Sequence, residues 1–368
     1  MKKFKVLVKI LAASLAASIA LCCTSCSDTS WAVKAGDDSV SAGVYLGFLI
    51  DAYYSASYSV SDTSKDVFEQ KIDGVDAATY IKNTAKETAK QYITVNRLFD
   101  EYKLSFTDDE LKVFDATVNN YWNTASALYE DNGCGKESFK KIMLMEEKYN
   151  KIFEYYYGEK GVEPLPEKDR QEYFAKNYAK IKYIDVRYST HYTGVSSEST
   201  ATDAQKTELK ELADKYVERL KNGEDIDKLI DEEANFGKTE EQKKEEAEKE
   251  EEEHDHDHEH EEAEEEAKYT FLTKDTSDEP DAFNEVVFKA NVNTPAKTKN
   301  STYGYYVFVR YELDSDGEDY TDHAESVLSE MKGEAFKTIV EKQTKKIKFT
   351  ENSAAIKRFK PQNIVFNF

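Results

Sequence analysis

The chain has 368 residues, 33% of them charged, and a formal net charge of -23. So acidic a surface is repelled by nucleic acid and by anionic lipid, which argues against both as partners held by charge. The length allows two or three domains, and 25 tyrosines and 19 phenylalanines against 5 prolines suit helix packing and peptide-binding surfaces alike.

Lys2, Lys3, Lys5 and Lys9 precede an apolar run from Ile10 to Leu21 that is too short for a stable bilayer anchor. Leu21-Cys22-Cys23-Thr24-Ser25-Cys26 then gives way to the polar Ser27-Asp28. Residues 1–25 resemble a bacterial lipoprotein signal, with Cys26 as the acylated first residue of the mature chain. Cys22 and Cys23 are rival sites, because Cys23 stands where such signals prefer leucine. An ordinary secretory signal is the other reading, and both place the protein outside the cytoplasm. The first places it on the extracytoplasmic face of the membrane. Cys134, between Gly133 and Gly135, is then the one thiol left, so no disulfide framework is expected. Its turn context reads as incidental.

Ala32-Val33-Lys34-Ala35-Gly36 reads as a strand entering a turn, after which Ser41 caps a helix carrying Val44, Leu46, Phe48, Leu49 and Ile50. Apolar positions Tyr80, Ile81, Tyr92, Ile93, Val95 and Leu98 predict a long amphipathic helix over 77–103. Thr107-Asp108-Asp109-Glu110 has the capping-box spacing. Further helices are expected over 137–157 and, beyond Pro164 and Pro166, over 167–178. The period changes near Ile181, where Lys182 to Tyr188 alternates like a strand. Residues 203–221 return to helical spacing and end at Asn222-Gly223, a shorter helix begins at Asp225, and 281–289 forms another. Gly304 to Tyr311 is the clearest strand, and Val327, Leu328, Met331, Phe336, Ile339 and Val340 mark a closing helix.

This order of elements, with the residues that fill it, resembles the secreted foldases typified by PrsA and SurA. The residues that carry the likeness include Thr107-Asp108-Asp109-Glu110, Leu165-Pro166-Glu167, Leu220-Lys221-Asn222-Gly223-Glu224-Asp225-Ile226, Phe283, Phe288 and Gly304-Tyr305-Tyr306. The resemblance implies an α+β protein: a helical chaperone domain over 26–175, joined by a returning C-terminal helix and tail over 315–368. A parvulin-like prolyl isomerase domain over 176–314 is inserted between them. The implied partners are unfolded secreted polypeptides and, through the lipid, the membrane. No cofactor is implied.

Parvulin sites use two histidines, a Cys or Asp, and an apolar cup for the substrate proline. Such a site needs no nucleophile; it favours the twisted amide against a barrier of roughly 18–20 kcal/mol. By the resemblance Tyr188 and Tyr306 replace the histidines on adjacent central strands. Phe283 keeps part of the cup, Phe288 and Tyr306 flank the substrate, and Glu279 stands near a methionine position. The family's Gly-Gly-Asp-Leu-Gly segment is missing. A weak or inactive isomerase is the expectation, with chaperone action more secure; the alternative is that these aromatics are only core.

Residues 238–268 stand where that segment is missing, and hold 17 acidic against 5 basic side chains, about half the charge excess. Within them, His254, His256, His258 and His260 alternate with carboxylates, a pattern that chelates divalent metal loosely. So polar a run cannot offset its ordering entropy and is expected to be disordered. A zinc-binding or delivery lipoprotein is the rival function. It needs about three further histidines on folded elements for a closed site, and only His191 and His323 lie outside the run.

Overall fold

The computed structural model describes residues 30–239, 242, 269–274, 281–300 and 302–365. Cys22, Cys23, Cys26, Glu279 and the histidines from His254 to His260 therefore lie outside the described residues. The protein is α+β and separates into two compact units, residues 1–165 with 330–368, and residues 166–329.

The first unit opens on strands β1 (Trp31–Ala35) and β2 (Asp38–Ser41), joined at Gly36 in the left-handed region. Four helices follow: α1 (Ala42–Ser59), α2 (Ala77–Glu101), α3 (Asp108–Asp131) and α4 (Lys136–Tyr157). Ser41 caps α1, as its spacing predicts, through a bond from the Val44 amide. A two-residue hairpin, β3 (Lys71–Ile72) with β4 (Val75–Asp76), leads into α2. Ile81, Ala85, Ala89 and Ile93 recur every fourth residue on α2 and are buried against α1 and α4.

The second unit begins with α5 (Glu167–Asn177) and strand β5 (Tyr178–Arg187). The short α6 (Tyr188–His191), α7 (Asp203–Lys221) and α8 (Ile226–Ala234) follow. Then come β6 (Thr270–Thr273), α9 (Asp281–Lys289), β7 (Ala296–Asn300) and β8 (Gly304–Tyr311). The four strands form an antiparallel sheet in the order β6-β5-β8-β7. Because side chains alternate across a strand, β8 sends Tyr305, Val307 and Val309 to one face and Tyr306 and Phe308 to the other. Residues of α7 and α8 cover the first face; Phe283 and Val287 of α9 cover the second.

The last long helix, α10 (Glu318–Lys346), starts in the second unit and ends in the first. Within the first unit its Phe336 is buried against Tyr149 and Phe153, and Thr344 bonds Thr94 at 3.0 Å. Beyond it β9 (Thr350–Glu351) pairs with β1, and Asn352 bonds the Ala32 and Trp31 carbonyls. α11 (Ser353–Arg358) and a 3-10 turn at Pro361–Asn363 end the described chain.

Candidate functional site

The expected site residues divide between the two faces of the second sheet. Tyr306 and Phe283 meet on the α9 face with ring centroids 4.6 Å apart. Tyr183 of β5 joins them at 5.7 Å from Tyr306 and 6.2 Å from Phe283. Asn300, itself buried, donates to the Tyr306 hydroxyl and accepts from the Thr302 and Tyr303 amides. Phe288 is half-buried at the end of α9, where Arg310 bonds its carbonyl and lies over its ring.

Tyr188 is a correction. The alternation from Lys182 predicts a strand through residue 188, yet β5 starts earlier, at Tyr178, and stops at Arg187. Tyr188 opens α6 and packs with Val186, Tyr216 and Tyr305 on the α7 face. It is therefore across the sheet from Tyr306. Its hydroxyl is buried and has no hydrogen-bond partner among the described residues. The two tyrosines that the resemblance pairs are not brought together.

The register instead sets Asp185 directly opposite Tyr306, with Tyr183 opposite Phe308. Asp185, Tyr183 and Tyr306 share the α9 face by the period of two. Arg187, two residues on, reaches back to the Asp185 carboxylate at 2.6 Å. Asp185 carries no sequence motif of its own; only its cross-strand register identifies it. Beside these residues lies a cavity of about 430 Å³ lined by Tyr183, Asp185, Arg187, Thr190, Glu233 and Thr270 among others.

The α9 face brings together aromatic rings, the Asn300 hydrogen bonds and the Asp185 carboxylate. Phe283 and Tyr306 are each 3% exposed, so their rings are walls and not an open cup. Among the described residues no cluster of three or more His, Cys, Asp or Glu could hold a metal ion. No helix among them is long and apolar enough to cross a membrane.

Both units expose aromatic rings, the second at Phe236, Tyr269 and Tyr303 and the first more strongly. Tyr58 of α1 is 83% exposed and Tyr121 of α3 58%. Tyr155 of α4 stacks on Tyr102 and lines a cavity of about 550 Å³ with Lys103, Leu104, Lys151 and Lys160. Cys134 is fully buried, and desolvation with the nearby Asp51 charge pushes its thiol up to about 12. That is the state of an inert structural cysteine.

No protein-family profile matches the chain, and no curated protein matches it. Among solved structures, it is similar to PrsA from Bacillus subtilis at 18% identity, over 75% of this chain and 89% of that one, with a TM-score of 0.30. The foldase protein PrsA from Streptococcus pneumoniae aligns at 14% identity, over 77% and 92%, with a TM-score of 0.36. The foldase protein PrsA from Lactococcus lactis aligns at 12% identity, over 88% and 96%, with a TM-score of 0.34. At such identities and scores, roles rest on this chain's own residues.

Proposed function

We propose that the protein is a lipid-anchored extracytoplasmic foldase that holds unfolded secreted polypeptides, with a parvulin-like second unit whose isomerase chemistry is degenerate. The observation that carries this reading is the chain order. A helical unit assembled from both ends of the described chain brackets a sheet unit in which Phe283 and Tyr306 meet. Holding a client needs exposed apolar and aromatic surface, which Tyr58, Tyr121, Val113 and Val162 of the first unit supply. Isomerisation needs preorganised polar groups around an open proline cup. Here the cup phenylalanine is covered, Tyr188 faces the other way, and Asp185 occupies the position across from Tyr306.

The test uses the mature protein with two clients. Aggregation of an unfolded client without proline should be suppressed, and Tyr58→Ser with Tyr121→Ser should weaken that protection several-fold. Turnover of a proline peptide should stay near the uncatalysed rate. Protection confined to proline-limited clients would defeat the holdase reading. Turnover abolished by Tyr306→Phe or Asp185→Asn would show that the covered site works.

A further inference from the structure

In a chain of which 33% is charged, residues 116–129 of α3 contain no Asp, Glu, Lys or Arg. Burial does not explain this, since Ala116, Asn120, Tyr121, Asn123, Thr124 and Ala127 are all exposed. Phe114, Val118 and Trp122 form the buried stripe of α3. On one flank of that stripe Asp115 and Asn119 are bonded by Lys140 and Lys136 of α4. The other flank is turned to solvent, with Val113 67% exposed and Tyr121 58%. There Val113, Thr117, Tyr121, Thr124 and Leu128 follow at spacings of three or four, which sets them on one line along the helix. The Thr124 hydroxyl turns back to the Tyr121 carbonyl at 3.0 Å and is satisfied there. The line is uncharged for about 22 Å.

Both of its ends are acidic. Asp108, Asp109 and Glu110 open α3, Glu130 and Asp131 close it, and Lys112 is its only base. The Lys112–Asp109 pair at 2.9 Å is largely exposed and so contributes little. Lys151 of α4 reaches Glu110, which still leaves acid in excess at that end. A second copy of the chain does not fit such a face. Packed on its own copy in either direction, α3 sets acid against acid at both ends. A segment with basic residues on either side of an apolar centre fits in charge. It also fits in length, because about seven extended residues span the line.

We propose that the outer face of α3 docks extended client segments of about seven apolar residues flanked at both ends by lysine or arginine. This docking rests on the foldase reading of the protein, and it gives the clients a chemical class. Tyr121 and Val113 supply the contact area. The acids at the two ends steer basic flanks into place and reject acidic ones.

Fluorescence anisotropy on the full mature chain tests it with three labelled peptides. One has an apolar centre and lysine flanks, the second the same centre with glutamate flanks, and the third a Gly-Ser centre with lysine flanks. The first should bind about tenfold or more tightly than either of the others. Tyr121→Ser should weaken the first several-fold and leave the third unchanged, which general attraction to an acidic chain would not do. Asp109→Asn with Glu130→Gln should narrow the gap between the first two. Equal binding of lysine- and glutamate-flanked peptides, or indifference of the first to Tyr121→Ser, would overturn the docking face. If the same protein still suppresses aggregation of the proline-free client, the foldase reading stands and this face alone is lost. A dimer in sedimentation that Tyr121→Ser dissociates would give the face to a second copy and overturn the proposal as well.

Discussion

Two buried aromatics of the second unit have opposite energetic signs. Phe283 fills the space between Tyr306, Tyr183 and Phe308, so Phe283→Ala leaves a cavity and should cost about 3–5 kcal/mol. Tyr188 buries a hydroxyl that no side chain or backbone group receives among the described residues. Removing an unsatisfied hydroxyl is neutral or favourable, so Tyr188→Phe should leave stability unchanged or raise it by up to about 1 kcal/mol. Denaturant titration of both variants checks the pair. A loss of 2 kcal/mol or more in Tyr188→Phe, on the order of a full unsatisfied-donor penalty, would mean the hydroxyl has a partner such as ordered water. At this scale the family resemblance points to Phe283 and Tyr306, but nothing in the sequence points to Asp185. An aspartate within a strand looks like a solvent-facing residue until the register sets it across from Tyr306. Gly304 shows why glycine precedes those tyrosines. Its φ is 149°, and a Cβ there would run into the Val186 carbonyl across the sheet.

Elements were legible where they carry their own local signals. The Thr107–Glu110 capping box forms with both reciprocal bonds, at 2.7 Å from the Thr107 amide and 3.2 Å from the Glu110 amide. Thr107→Ala should destabilise the protein by about 1 kcal/mol, read as a shift in denaturation midpoint. The Lys151 ammonium and the Thr107 amide hold the Glu110 carboxyl below its usual range. A depressed carboxyl pKa contributes stability above the unfolded value and loses it as pH falls through the folded one. The penalty of Glu110→Gln should therefore shrink on acidification below about pH 4; a penalty that grows instead would contradict this linkage. Residues 203–221 and 304–311 likewise form the helix and strand that their periods predict. Strands β2, β3, β4, β7 and β9 were not legible. Each is too short or too polar for a period of two, and β7, Ala296-Lys297-Thr298-Lys299-Asn300, is lysine-bearing because it is an edge. The buried stripe on α2 was only half visible, since Ala85 and Ala89 give no apolar signal yet permit close helix approach.

At the scale of the whole molecule, the proposed client holding, any loose metal binding and the proposed lipid anchor fall on different parts of the chain. The described hydrophobic clusters are built from residues on both sides of the acidic histidine run. Deleting 250–261 should therefore leave the folded units and aggregation suppression intact while removing any loose binding of divalent metal. A tight zinc site that survives this deletion would instead restore the metal-delivery reading. The anchor is separable in the same way. On the proposed reading, an acylated Cys26 would supply the hydrophobic retention that a chain of net charge -23 cannot find electrostatically on an anionic membrane. Cys26→Ala should consequently move the protein from the membrane fraction to the soluble extracytoplasmic fraction with its hydrodynamic size and client protection unchanged. Retention of Cys26→Ala on membranes, with release by Cys23→Ala, would move the acylated residue to position 23. Retention of both would mean that the membrane is held by some other part of the protein, and the lipid anchor would have to be abandoned.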